Sequence, residues 1–104
     1  MLFLFMEDGN KSTQLKIEKQ SKPLVKLKKG DKIFINGKAM RVDSQYVFVK
    51  HEKMNEMIIE FFNTENEREY QLRYFDDQIE SSIEIYELQE DIQYVRREPK
   101  NVGW

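Results

Sequence analysis

The sequence predicts a mostly β protein, a small antiparallel barrel or sandwich with a flexible basic N-terminal arm. Three observations carry that expectation. Short runs of β-branched and aromatic residues recur along the chain, separated by frequent polar turns. An Asn-Gly pair, Asn36-Gly37, sits between two alternating segments, as a two-residue hairpin requires. The chain has 104 residues, enough for one modest core, and no run approaches the ~20 apolar residues that a membrane-spanning helix needs.

In chain order, Met1–Met6 (MLFLFM) is apolar but short, without a basic flank or a small-residue cleavage site. It suits an edge strand or a hydrophobic tail. Residues 7–14 are polar, and 1–14 together form an expected flexible lead-in. Residues 15–104 are expected to fold as a single small barrel. Leu15–Glu18 alternates as a short strand, and Ser21-Lys22-Pro23 breaks it. Leu24–Leu27 is a second apolar run before the turn Lys29-Gly30-Asp31.

The hairpin follows. A type I′ turn at Asn36-Gly37 pairs Ile35 with Lys38, Phe34 with Ala39, Ile33 with Met40, and Lys32 with Arg41. Alternation then places Ile33, Ile35, Met40 and Val42 on one face, and Lys32, Phe34, Ala39 and Arg41 on the other. Further strands are expected at Tyr46–Lys50, Glu56–Phe62, Arg68–Phe75, Ile83–Leu88 and Ile92–Arg96. In Arg68–Phe75, Tyr70, Leu72 and Tyr74 share a face. Asp76–Leu88 also places Ile79, Ile83 and Tyr86 at helical spacing; strand is preferred there because Ile83, Ile85 and Tyr86 are good strand formers.

The segment Leu27–Val42 (LKKGDKIFINGKAMRV) resembles the opening of the N-terminal SH3-like barrel of elongation factor P and its eukaryotic and archaeal counterparts. The shared features are the Lys-x-Gly-Asp turn, the alternating strand, the Asn-Gly turn and a strand ending in valine. Glu56–Phe62, Arg68–Phe75 and Ile92–Val95 are similar to that family's later strands in order and spacing, so the likeness covers about residues 27–97. It implies the barrel fold. The family's glycine-rich loop, which carries a modified lysine, corresponds here to His51-Glu52-Lys53-Met54-Asn55, which has no glycine. Ala39 stands where the family has proline. The modified-lysine role is therefore not assigned to Lys53.

Charge is unevenly placed. Residues 11–41 hold ten bases and two acids, a net +8, which leaves −10 for the rest of a chain whose total is −2. Such asymmetry marks a polyanion-binding segment or two halves that neutralise one another across the fold. The acidic whole-chain isoelectric point favours the second reading, since nucleic-acid-binding domains usually lie above ~9.

No catalytic constellation is present, so the chain is expected to be non-enzymatic, without cofactor or metal. Cysteine is absent, which excludes disulfides and thiolate chemistry and fits a cytoplasmic location. His51 is the only histidine and lacks the second ligand of a zinc-protease motif. Asp76-Asp77 and Glu90-Asp91 lack calcium-loop spacing and are expected in turns. No glycine-rich phosphate loop or nucleophile elbow occurs.

The candidate nucleic-acid-binding residues are Lys28, Lys29, Lys32, Phe34 and Arg41. Lys32 and Arg41 stand opposite one another in the hairpin register, and like charges so placed repel unless an anion lies between them. Phe34 between them offers a stacking face for a base of a single-stranded nucleic acid or ribonucleoprotein. The plainer reading leaves the bases solvated and Phe34 packed under the N-terminal arm. The alternative function is a protein-interaction or oligomeric module. There Glu80, Glu84, Glu87, Glu90 and Asp91 dock a basic partner, or the basic segment of a second copy in a homo-dimer.

Overall fold

The computed structural model describes residues 15–19, 22–90 and 92–104. The expected lead-in over 1–14, with Met1–Met6, lies outside the described residues, as do Ser21 and Asp91. The chain forms one eight-stranded sheet that curls into a half-barrel. The strands are β1 (Lys16–Glu18), β2 (Lys32–Ile35), β3 (Lys38–Lys50), β4 (Asn55–Phe62), β5 (Glu69–Phe75), β6 (Glu84–Leu88), β7 (Tyr94–Arg97) and β8 (Asn101–Gly103). A 3-10 turn, Leu24–Lys26, precedes β2, and a single helical turn, α1 (Ile79–Ser82), precedes β6. The order across the sheet is β1-β8-β2-β3-β4-β5-β6-β7.

The β2–β3 hairpin has the register that the Asn-Gly turn demands: Ile35 faces Lys38, Phe34 faces Ala39, Ile33 faces Met40 and Lys32 faces Arg41. Asn36 (φ 51°) and Gly37 (φ 80°) both occupy the left-handed region. From there the chain meanders antiparallel through β4, β5, β6 and β7. β8 then returns to pair antiparallel with β2 and parallel with β1.

Several expectations are corrected. Lys38–Val42 and Tyr46–Lys50 are not separate strands but one strand of 13 residues. Register shifts at Val42/Ser44 and Val47/Val49 kink it. Such bulges raise local twist, so a single strand can follow the curl of the sheet. The apolar run before the hairpin holds the 3-10 turn Leu24–Lys26. In 76–88 both readings hold in part: Ile79–Ser82 is helical and Glu84–Leu88 is strand. The sheet is mixed: the β1–β8 pair is parallel and the other pairings are antiparallel, in keeping with a mostly antiparallel fold.

The core fills the concave side. Ile33, Met40 and Val42 from the hairpin meet Ile59 and Phe61 of β4, Leu72 and Tyr74 of β5, Ile85 of β6, and Val102 and Trp104 at the chain's end. These positions are the inward halves of alternating strands, each worth about 1.5–3 kcal/mol on full burial. Leu24 and Leu27 close one end of the barrel. Gln45, also inward, clamps that end. Its amide donates to the Leu24 and Leu27 carbonyls at 3.2 and 2.8 Å, and its Oε1 accepts from the Tyr74 hydroxyl at 2.6 Å.

Candidate nucleic-acid interface

The outer face of the hairpin is built from its neck upward. Gly30 (φ 94°) lets the chain reverse, and its N–H donates to the Val42 carbonyl at 2.9 Å. Asp31 braces the turn: its carboxylate accepts from the Lys28 backbone N–H at 2.9 Å and from the Lys22 ammonium at 3.0 Å. Those two contacts, the backbone one foremost, hold the Asp31 carboxyl below its ordinary range. The fold thereby fixes Lys28 and Lys29 as exposed residues at the root of β2.

Arg41 ties the neck to the strand. Its guanidinium Nη1 donates to the Gly30 carbonyl at 2.8 Å. Lys32 and Arg41 are exposed directly across from one another, with Lys28 and Lys29 beside them on the same turn. Among the described residues, none of these four bases is in an ion pair with a carboxylate. Among the described residues, the basic segment forms ion pairs with the acidic half at Lys19–Glu80 (2.6 Å) and Lys38–Glu65 (3.6 Å). Phe34 is half-buried on the outer face, outside the core cluster, with Ala39 on one side and Gly103 on the other.

The acidic residues singled out in the sequence are mostly engaged within the fold. Glu80 pairs with Lys19, and Glu84 accepts from the Tyr86 hydroxyl and forms an ion pair with Arg96. Glu87 is buried and accepts from Arg68 and, at 3.0 Å, from Arg97. Burial pushes the Glu87 carboxyl up, but the two guanidinium hydrogen bonds outweigh it and hold it below its ordinary 4.5. Glu90 is exposed. A different acidic feature, not anticipated from the sequence, lies at the sheet's flank. Asp43, Glu60, Glu67 and Glu69 line a recess of about 360 Å³ together with Phe62 and Tyr94. These carboxylates come from β3, β4, the β4–β5 loop and β5, so only strand pairing brings them together.

The outer face of the sheet carries a further cluster. The Arg73 guanidinium lies 3.9 Å from the centre of the Tyr86 ring and 5.9 Å from those of Phe48 and Tyr94. Its Nε donates to Gln71 Oε1 at 2.9 Å, and Gln71 donates to Glu60, which also accepts from Tyr46. Burial and the Glu60 contact push the Tyr46 hydroxyl up to about 12. Gln71 and Ile58 are buried under this layer. The signal for it in the sequence is the aromatic content of Tyr46, Phe48, Tyr86 and Tyr94 at outward positions.

His51 is exposed in the β3–β4 turn, with Nε2 at 2.8 Å from Glu56. Asp76 caps Asn55, accepting from its backbone N–H at 2.8 Å and its amide at 3.0 Å. Among the described residues no three His, Asp or Glu side chains gather as a metal site, and no helix is long and apolar enough to cross a membrane.

In comparisons with known proteins, no family model, no curated protein and no solved structure matches the chain. The functional reading therefore rests on the residues just described.

Proposed function

We propose that this protein is a non-catalytic binding module that takes a polyanion, single-stranded nucleic acid foremost, on the outer face of its β2–β3 hairpin. The observation that carries the reading is the grouping of Lys28, Lys29, Lys32 and Arg41 on one rigid turn and hairpin with no carboxylate partner among the described residues. Four bases held this way repel one another, and a phosphate backbone laid across them relieves that repulsion and releases its own counterions. Phe34, half-buried beside them, adds an aromatic ring for a base.

The test is a titration with single-stranded RNA and DNA at two salt concentrations. Affinity should fall with salt by a log–log slope of about −0.7 per phosphate contact. Lys32→Ala with Arg41→Ala should flatten the slope. Phe34→Ala should cost about 1–3 kcal/mol of binding with the slope nearly unchanged. A fall in melting temperature with unchanged binding would assign Phe34 to packing instead. No binding at low salt would remove the nucleic-acid reading.

A second reading has its own support in the acidic recess. Four carboxylates and four aromatic rings, with no base among the lining residues, suit a basic segment of a protein partner or of a second copy of this chain.

A further inference from the structure

β3 runs on past its neighbour. β2 pairs with it only over Lys38–Arg41. The turn before β2 reaches one residue further: the Val42 N–H donates to the Asp31 carbonyl at 2.8 Å, and the Gly30 N–H to the Val42 carbonyl at 2.9 Å. From Ser44 to Lys50 the strand keeps β4 on one side. Among the described residues no backbone group bonds to its other side. The residues along this open edge are apolar and exposed. Tyr46, Val47, Phe48 and Val49 follow one another, with Val47 49% and Phe48 53% exposed. A run of aromatic and β-branched residues with unpaired N–H and C=O groups along one side is a template for another strand. Lysines and bulges blunt such edges. Here the register shift at Val47/Val49 and Lys50 stand at one end and leave the rest open.

Charge decides what fits. The Lys28–Asp31 turn abuts the start of the edge through the Val42–Asp31 bond, and its Lys28 and Lys29 are exposed. Lys50 and Lys53 are exposed at the far end. Among the described residues none of these four lysines is in an ion pair. The acids nearby are largely engaged: Asp31 pairs with Lys22, and Glu56 with His51. That leaves Asp43 at the start and Glu52 at the far end, one acid against two lysines at each. A second copy paired antiparallel through this edge would bring lysines of one end against lysines of the other, and a parallel copy would bring like ends together. Both arrangements are repelled. A phosphate backbone has no alternating N–H and C=O groups to pair with the edge.

We infer that the open edge of β3 takes an extended segment of another protein as an added strand, apolar at its centre and acidic at both ends. Backbone hydrogen bonds hold the centre, Tyr46, Val47 and Phe48 pack against its side chains, and the lysines at either end meet its carboxylates.

The probe is a blocked peptide of alternating valine and threonine with a pair of glutamates at each end. Calorimetry with the full chain should show saturable, one-to-one binding. The same peptide with lysines at its ends, or with its backbone nitrogens methylated, should bind about ten-fold more weakly or less. Lys50→Glu with Lys53→Glu should weaken binding of the glutamate peptide about ten-fold, the order of two exposed charge pairs reversed, with the melting temperature unchanged. By amide hydrogen exchange, the amides of Tyr46–Lys50 that do not bond β4 should exchange fast in the free chain and slowly once the peptide is added. The inference is overturned by no binding, by equal binding of the methylated or lysine-ended peptide, or by a double variant of unchanged affinity. Slow exchange already present in the free chain also overturns it. If that protection is independent of protein concentration, the edge is covered by the chain itself; if it grows with concentration, by a second copy.

Discussion

At Asn36 one residue serves the turn and a distant strand together. Its backbone takes a positive φ of 51°, and its side-chain Oδ1 accepts from the backbone N–H groups of Lys100 and Asn101 at 2.8 and 3.0 Å. The Asn36 N–H in turn donates to the Asn101 carbonyl at 2.9 Å. The hairpin tip therefore docks β8, and through β8 it holds β1. Gly37 next to it, at φ 80°, has nothing within 4 Å of where a Cβ would stand. Substitution there is thus opposed by backbone conformation rather than by space. Gly37→Val should cost about 1–3 kcal/mol, because a β-branched residue resists φ > 0. Chemical denaturation of the variant checks it, and an unchanged midpoint would contradict the turn geometry. Gly103 is constrained for the opposite reason: a Cβ there would stand 2.8 Å from the Glu18 carbonyl oxygen, so β1 approaches β8 only because that side chain is missing.

Elements whose order comes from neighbouring residues were the legible ones. The hairpin, β4 and β5 each carry alternation and a local turn signal, so their positions, faces and the Lys32–Arg41 pairing follow from the sequence. β8 has three residues, and its contacts reach back 65 positions to Asn36, so no local pattern announces it. α1 is four residues long, held by Ser82, whose Oγ accepts from the Phe75 N–H at 2.9 Å. Asp43 interrupts the apolar alternation of β3, and a bulge absorbs it instead of ending the strand. The acidic recess was hidden because its four carboxylates are adjacent only across strands.

Glu87 shows how an element's charge is consumed by its neighbours. It sits in β6 opposite Tyr70 of β5 and Val95 of β7, buried, and is gripped by Arg68 and Arg97. Its folded-state pKa is depressed, so the unfolded chain binds more protons between the folded value and the ordinary 4.5. The stability it contributes is fully present above that ordinary value and is lost as pH falls through the lower folded one. Glu87→Gln keeps the shape and removes the charge. It should cost about 1–3 kcal/mol at neutral pH, in the range of charged hydrogen bonds. The gap between variant and parent should close on acidification below pH 4.5. Melts of both proteins across that range check it, and a gap independent of pH would show that packing, not charge, is what Glu87 supplies.

Over the whole molecule, the two charged regions share one surface. In the sheet register Arg41 faces Phe62, and Phe62 faces Glu69, so a single outward row runs from the basic hairpin across an aromatic ring to the acidic recess. Lys32 extends that row at the basic end. A surface with opposite charges at its two ends fits a second copy set head to tail, a heterologous contact that need not close on itself. Such contacts between exposed charges are screened beyond about 8 Å at physiological ionic strength. Self-association should therefore appear at low salt, rise with protein concentration, and disappear as salt is added. Sedimentation velocity across a salt and concentration series measures this. Arg41→Glu should weaken association by reversing one of the four charges at the basic end. A mixture of Arg41→Glu with Glu69→Lys should restore it in part, since each variant keeps one complementary end. Single-stranded nucleic acid should compete with self-association, because both occupy the hairpin face. A chain that stays monomeric at every salt and concentration, yet binds nucleic acid with a steep salt slope, would leave the polyanion as the ligand of that face and remove the second copy as its partner.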